Sequence, residues 1–436
     1  MSGTACARYL PLPASKPRDD SDLENRKVFM RNVFIGVALA CQLGILNAQV
    51  QPIVPKNGPP LAGPYTPGVF AGDYLYVAGQ GDRTANGREP ATFDAQADQT
   101  FENIKAIVET AGLTMDHVVY TQVYLTDMKN FDAMNRAYAR YFPKAPPARA
   151  CLGVAGLHGT SIEINAMAIR NLNEKQAVVV PGYKLDEPIS AGILTRDRLF
   201  VSAMRGRNLA TGDVPPDAAG QVNSALDGVE AVLKAAGLGM KNMVFTNPYL
   251  TKAIPMSTMN ELYAKRFEFG NTPARATIKV SSLPGGAQIE YTGVAVRDLS
   301  ARQAVRPKNM PPSPTASPCV FAGDTLYCSA KGGFIPGPNS GIFVAGVDQQ
   351  LRQTMRNLLD NLEEAGMDFN SVVSTTVYLD NLADFPVMNK LYAKYFKGVA
   401  PARTTLQQVA PVERKPNAED EYPELEQISL IAVRKK

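Results

Sequence analysis

The sequence predicts an α+β chain made of three tandem copies of one small domain, each of order ββαβαββ. Two observations carry this. First, three short words recur in the same order along the 436 residues. Ala111-Gly112-Leu113 opens a segment ending in Tyr124-Leu125, Ala236-Gly237-Leu238 opens one ending in Tyr249-Leu250, and Ala365-Gly366-Met367 opens one ending in Tyr378-Leu379. Met134-Asn135, Met259-Asn260 and Met388-Asn389 follow, each with a tyrosine three residues after the asparagine, and then Pro147-Ala148-Arg149, Pro273-Ala274-Arg275 and Pro401-Ala402-Arg403. A repeat of this length is a domain rather than a solenoid unit. Second, the hydrophobic period switches between helical and extended spacing inside each copy.

The elements of the first copy follow from that spacing. Val69-Phe70-Ala71-Gly72-Asp73 reads as a strand running into a turn, and Tyr74 to Ala78 is rich in β-formers. Phe101, Ile104, Val108 and Ala111 recur at helical spacing, matched by Leu226, Val229 and Leu233 and by Met355, Leu358 and Leu362. Gly112, Gly237 and Gly366 stand where a helix C-cap needs positive φ. His117 to Leu125 reads as a strand with Val119, Thr121, Val123 and Leu125 on one face. Phe131 to Phe142 reads as a second helix, and Ala148 to Ala155 and Ser161 to Ile169 as closing strands. The helices are expected to cover one face of the sheet. The domains are placed at 50–172, 173–300 and 301–436, with joins near Asn171–Lys175 and in the proline-rich stretch Pro307–Pro318.

Composition narrows the function classes. Hydrophobic residues make up 45% and charged residues 20%, an ordinary globular balance. A net charge of +4 and the absence of tryptophan give no support to a nucleic-acid partner. The five cysteines are scattered without a CxxC pair, and there are only two histidines, so a zinc site of His and Cys ligands is not expected. His117 and His158 read as ordinary surface or turn residues. Residues 1–49 form a leader. Met30-Arg31-Asn32, an apolar run from Val33 to Leu46 and Ala48 have the pattern of a secretory signal peptide, with Met30 as the true start. The run is too short to span a membrane as a helix, which needs about 20 residues. This reading implies a periplasmic or secreted protein with no membrane association once the leader is removed; a disordered leader followed by a buried helix, on a cytoplasmic protein, is the alternative.

The first copy carries several motifs in sequence: Gly63-Pro64-Tyr65, Val77-Ala78-Gly79-Gln80, Tyr124-Leu125-Thr126-Asp127, Asn135, Pro147-Ala148-Arg149-Ala150-Cys151 and Ile162-Glu163-Ile164. Together they resemble the Rid (reactive intermediate deaminase, YjgF-like) family over nearly all of 55–170, and less completely to the C-terminus. The resemblance implies a chorismate-mutase-like fold, trimers with helices outside, and sites in the clefts between neighbouring domains. Three domains on one chain would then form an intramolecular pseudo-trimer, a monomer in solution whose parts do not separate on dilution. It also implies hydrolysis of 2-imino or enamine acids to 2-keto acids and ammonia, with no metal or organic cofactor. A non-catalytic protein that binds small carboxylates on the same scaffold is the alternative.

The residue chemistry fits the implied reaction. The planar guanidinium of Arg149, Arg275 or Arg403 can hold a carboxylate through two parallel hydrogen bonds. Glu163, and Glu290 in the second copy, can activate water and return a proton to departing ammonia. Gln427 stands at that place in the third copy and cannot act as a base. Tyr65 can hydrogen-bond a ligand or close the cleft; Ile189 and Ala316 replace it. Gly79 admits close approach of a ligand, and Ala203 and Ala330 replace it. Cys151 is either a ligand contact or a small buried side chain, with Thr277 and Thr405 as its counterparts. Asn135, Asn260 and Asn389 either touch ligand or cap structure. Arg149 is expected to be the leading clamp, with Arg275 and Arg403 behind it, and at most two of three clefts are expected to be fully equipped.

Overall fold

The computed structural model describes residues 50–183, 185–308, 310–336, 341–409 and 413–434. The signal-peptide-like segment lies outside the described residues.

In the first repeat a strand pair, Gly68–Ala71 and Tyr74–Gln80, leads into a helix at Phe93–Thr110. The strand Val118–Leu125, a second helix at Phe131–Tyr141, and the strands Ala148–Gly153 and Ile162–Ile169 complete it. The sheet order is Gly68–Ala71, Tyr74–Gln80, Ile162–Ile169, Val118–Leu125, Ala148–Gly153, with an edge strand Gln51–Ile53 added outside the first of these. Only the pair Val118–Leu125 and Ala148–Gly153 runs parallel, because the second helix carries the chain back to the same end of the sheet. The other two repeats follow the same plan, with helices at Ala218–Ala235 and Met256–Ala264 and at Val347–Glu364 and Phe385–Tyr392. Edge strands Gln176–Val178 and Arg302–Val305 lie at the joins between repeats. The sequence pattern missed these three-to-four-residue edges because segments so short carry no legible alternation.

Each long helix lies on its sheet through the expected apolar stripe. Phe101, Ile104 and Val108 are buried, with Ala111 partly buried beside them and Ile107 adding to the stripe; Leu226, Val229 and Leu233 are buried likewise, as are Met355, Leu358 and Leu362. Thr92 and Asp217 cap the first two helices through side-chain oxygens. Gly112, Gly237 and Gly366 have φ of 76°, 73° and 71°, as the C-cap reading requires.

One face assignment changes. Val123 and Leu125 pack under the helices, but Val119 belongs to the cluster on the opposite side of the sheet. The ladder with Ile162–Ile169 shifts register between Val118 and Tyr120. A bulge there inserts one residue and turns Val119 to the other face.

That other face joins the repeats. A single apolar cluster contains Tyr76 and Tyr120 from the first repeat, Phe200 and Val244 from the second, and Tyr327 and Val373 from the third. The contacts close as a ring. Ser190 N–H donates to Pro147 O at 3.5 Å, Ser317 N–H to Pro273 O at 3.1 Å and Thr66 N–H to Pro401 O at 3.3 Å. Each repeat thus contacts the next at an equivalent position, and the third contacts the first.

Candidate functional site

The ring brings each Pro-Ala-Arg arginine against the following repeat. Arg403 faces the first repeat, Arg149 the second and Arg275 the third. The three clefts are named here by their arginines.

The Arg403 cleft is open. Arg403 and Thr405 line it from the third repeat, and Tyr65, Gly79 and Glu163 from the first. Arg403 sits at the start of the strand Ala402–Gln407 and is buried to 3% exposure. Its guanidinium packs against the rings of Tyr392, Tyr65 and Phe385, with centroids at 5.0, 5.4 and 5.6 Å. Nη2–H donates to Asn389 Oδ1 at 2.7 Å, and Asn389 Nδ2–H donates to Ala62 O at 3.1 Å. The asparagine therefore orients the arginine and ties it to the neighbouring repeat. A Cβ on Gly63 would strike both Arg403 and Asn389, so glycine is what leaves this guanidinium uncovered.

Glu163 is half-buried at the floor of the same cleft. Burial pushes its carboxyl up to about 7, against the opposing pull of the Thr405 backbone N–H and of Arg403. Gly79 serves this carboxylate: a Cβ there would overlap Glu163 Oε1. The glycine makes room for a side chain, where close approach of ligand was the expectation. Burial also raises the Tyr65 phenol, which stays protonated at neutral pH. The Thr405 hydroxyl is buried with no hydrogen-bond partner among the described residues.

The Arg149 cleft corrects the expectation that Arg149 leads. Arg149 does not meet Glu163 or Tyr65. Its Nη2–H donates to Glu187 Oε2 at 2.6 Å, and Arg205 donates to both Glu187 oxygens. Glu290 lies behind, its Oε2 3.5 Å from Arg205 Nε. Arg149, Glu187, Arg205 and Glu290 are exposed by 1%, 6%, 6% and 0%. Glu187 stands in the Glu187-Pro188-Ile189 segment where the first repeat has Gly63-Pro64-Tyr65. The chain's own carboxylate thus fills the seat. Asn135, displaced from the arginine, keeps a buried Oδ1 without a hydrogen-bond partner among the described residues. Cys151 packs in the helix-side core, and burial pushes its thiol up to about 12, so it is the small buried side chain and not an exposed ligand contact.

The Arg275 cleft is intermediate. Arg275 Nη1–H donates to Asn260 Oδ1 at 2.8 Å, repeating the Arg403 arrangement. Gln427 stands where Glu163 does and donates to Thr277 O at 3.2 Å. Ala330 and Ala316 stand at the Gly79 and Tyr65 positions.

Among the described residues, one cleft therefore joins an arginine with a glutamate at the Glu163 position and a tyrosine at the Tyr65 position, where up to two had been expected. Pairing is cyclic across repeats, so the complete first-repeat set works with the arginine of the third. Two features escaped the sequence. His158 lines the Arg403 cleft and stacks on Phe385 with ring centroids 4.1 Å apart, beyond its expected role as a turn residue. His117, by contrast, caps a short turn through Thr114, as an ordinary turn histidine does. Cys319 and Cys328 form a disulfide across two paired strands, legible only once those strands are placed in register.

Comparison with known proteins agrees with the threefold repeat. The profile of the family described as Endoribonuclease L-PSP matches residues 56–170, 185–297 and 309–419. The chain belongs to this family. Its three repeats are Rid domains, as the motifs indicated. The family members it resembles include the 2-iminobutanoate/2-iminopropanoate deaminase of Escherichia coli strain K12, 39% identical over 123 residues, covering 27% of this chain and 96% of that protein. Another is the mitochondrial protein MMF1 of Saccharomyces cerevisiae, 33% identical over 144 residues, covering 33% of this chain and 98% of that protein. Among solved structures, the YjgF gene product of E. coli is 37% identical, covering 28% of this chain and 99% of its own, with a TM-score of 0.27.

Proposed function

We propose that the Arg403 cleft hydrolyses 2-imino acids to 2-keto acids and ammonia. The observation that carries this reading is the meeting of Arg403 and Glu163 in one open cleft. Arg403 receives the substrate carboxylate in its guanidinium fork, and Asn389 and the aromatic rings hold the fork in place. The Glu187 carboxylate on Arg149 supports that role, since it is a carboxylate bound at the equivalent arginine.

Glu163 handles the proton. A carboxyl that titrates near neutrality is divided between base and acid forms at working pH, which suits a group that takes and returns a proton. As carboxylate it accepts a proton from the water that attacks C2 of the imine. It then delivers that proton to nitrogen, which gives the carbinolamine. In the second half Glu163 takes the carbinolamine hydroxyl proton and passes it to the amino nitrogen, the C–N bond breaks as the C2=O bond forms, and ammonia leaves. Tyr65 closes the cleft over the guanidinium.

The Arg275 cleft supports a second reading for itself alone. With Gln427 at the glutamate position it keeps the arginine clamp and lacks the carboxyl that handles the proton in the Arg403 cleft, which favours binding of small carboxylates there.

The test is turnover of imines made in situ from alanine by an amino-acid oxidase, followed by competition with semicarbazide. Arg403→Lys keeps the charge but loses the fork. It is expected to lower kcat/KM by roughly thirty- to a thousand-fold, matching about 2–4 kcal/mol in the transition state. Unchanged turnover in that variant overturns the reading.

A further inference from the structure

The Arg149 cleft is closed by two consecutive carboxylates. Glu187 lies on Arg149, and Asp186 lies on Arg207, whose Nη1 and Nη2 donate to it at 3.2 and 3.0 Å. Arg207 is the second-repeat counterpart of Arg83, and Asp186 and Glu187 are the counterparts of Ala62 and Gly63. In the Arg403 cleft both arginines remain and both acids are gone. Arg403 and Arg83 line one cavity. The Arg83 guanidinium donates to the carbonyls of Gly87 and Gly159, each at 3.4 Å, and neither guanidinium forms an ion pair among the described residues.

We propose that the Arg403 cleft takes 2-imino dicarboxylic acids, with Arg403 on the carboxylate beside the imine and Arg83 on the carboxylate at the end of the side chain. This rests on the deaminase reading above and names its substrate class. Asp186 and Glu187 show, inside the same molecule, that this pair of arginine positions is matched by two linked carboxylates. The inner pair is desolvated and gives orientation, whereas Arg83 at the exposed mouth contributes selectivity between side chains. In the Arg275 cleft Phe334 stands at the Arg83 position, so the outer cation is missing there. The reaction balances without a further reactant. Water oxygen bonds to C2, the C–N bond of the resulting carbinolamine breaks, and ammonia and a 2-keto dicarboxylic acid leave.

The experiment compares imines formed in situ from glutamate or aspartate with the imine formed from alanine, using the full chain and Arg83→Ala. Expected is a higher kcat/KM on the dicarboxylic imines, and a dicarboxylate-to-monocarboxylate ratio that falls about ten-fold in Arg83→Ala. A wild-type preference for the alanine imine, or a ratio unmoved by Arg83→Ala, overturns the proposal. If no imine is hydrolysed, the deaminase reading fails by itself. The inert probes succinate and propanoate then decide the question of class by calorimetry. Tighter binding of succinate that is lost in Arg83→Ala supports the proposal, and equal binding of the two overturns it.

Discussion

Glu187 holds Arg149 through a 2.6 Å ion pair that is almost wholly buried, and in doing so it closes one of three equivalent arginine seats. The equivalent residue opposite Arg403 is Gly63, which leaves that seat open. One glycine-to-glutamate difference between repeats thus separates an arginine covered by a carboxylate of its own chain from one left open to a cavity.

The two arginines should accordingly respond differently to the same substitution. Arg149→Lys is expected to leave imine turnover within about two-fold of wild type while lowering stability, because one partner of a buried charge network loses its geometry. Arg403→Lys should do the reverse, with turnover collapsing and the melting temperature nearly unchanged. Parallel rate and thermal-unfolding measurements check both. Loss of activity in Arg149→Lys with a normal melting temperature would contradict the assignment of clefts.

Glu187→Gly alone leaves Arg149 and Arg205 buried without their carboxylate. Removing one partner of a buried pair costs about 3–5 kcal/mol, so urea unfolding of this variant should shift by that amount. The double change Glu187→Gly with Arg205→Gly restores the first-repeat pattern at both positions, since Gly81 stands where Arg205 does. It should open a further carboxylate site beside Glu290. Calorimetric titration with a small carboxylate is expected to show one more binding site per chain than wild type.

The repeat, the helix stripes and the glycine caps were legible in the sequence because each leaves a local period or a fixed offset. The family's motifs were legible for the same reason. What was not legible was the pairing. Tyr65, Glu163 and Arg149 lie in one repeat and read as one site, yet the cleft is built across a repeat boundary, and no local signal says that Arg403 completes the first repeat. The Glu187 plug was hidden likewise, because a glutamate before proline reads as a surface turn until the neighbouring arginine is placed beside it. His158 depends on Phe385 of another repeat for its meaning.

Cys319 and Cys328 add a covalent tie inside the third repeat. Peptide mapping without reductant should recover the two cysteines linked. Closing so short a loop is worth about 2–3 kcal/mol in the chain-entropy account, so reductant or Cys328→Ala should lower stability by about that much. Disulfides persist in oxidising compartments, which favours our proposal that the leader directs export. Protein from its native host is then expected to begin near Gln49, and an intact leader on cytosolic protein would reject it.

The last prediction follows from carboxyls raised by burial. Glu163 is pushed up to about 7 and the fully buried Glu426 to about 8, against ordinary values near 4.5. For rate, the base form of Glu163 is needed to receive the proton of water. Turnover should therefore rise with pH along an acid limb whose midpoint lies near 7, and Glu163→Gln should abolish that limb along with most activity while leaving carboxylate affinity nearly intact. For stability the sign is opposite. The folded protein holds these protons more tightly than the unfolded chain does, so their contribution is fully present below about 4.5. It is lost as pH rises through about 7 for Glu163 and about 8 for Glu426. Glu426→Gln removes a charge that the folded interior disfavours and keeps an acceptor for the Thr354 hydroxyl, which bonds Glu426 in the wild type. Its stability relative to wild type should therefore improve between pH 5 and pH 9. Urea unfolding of both proteins at the two pH values measures this, and a difference that stays constant would mean that Glu426 is already ionised in the folded state at pH 5.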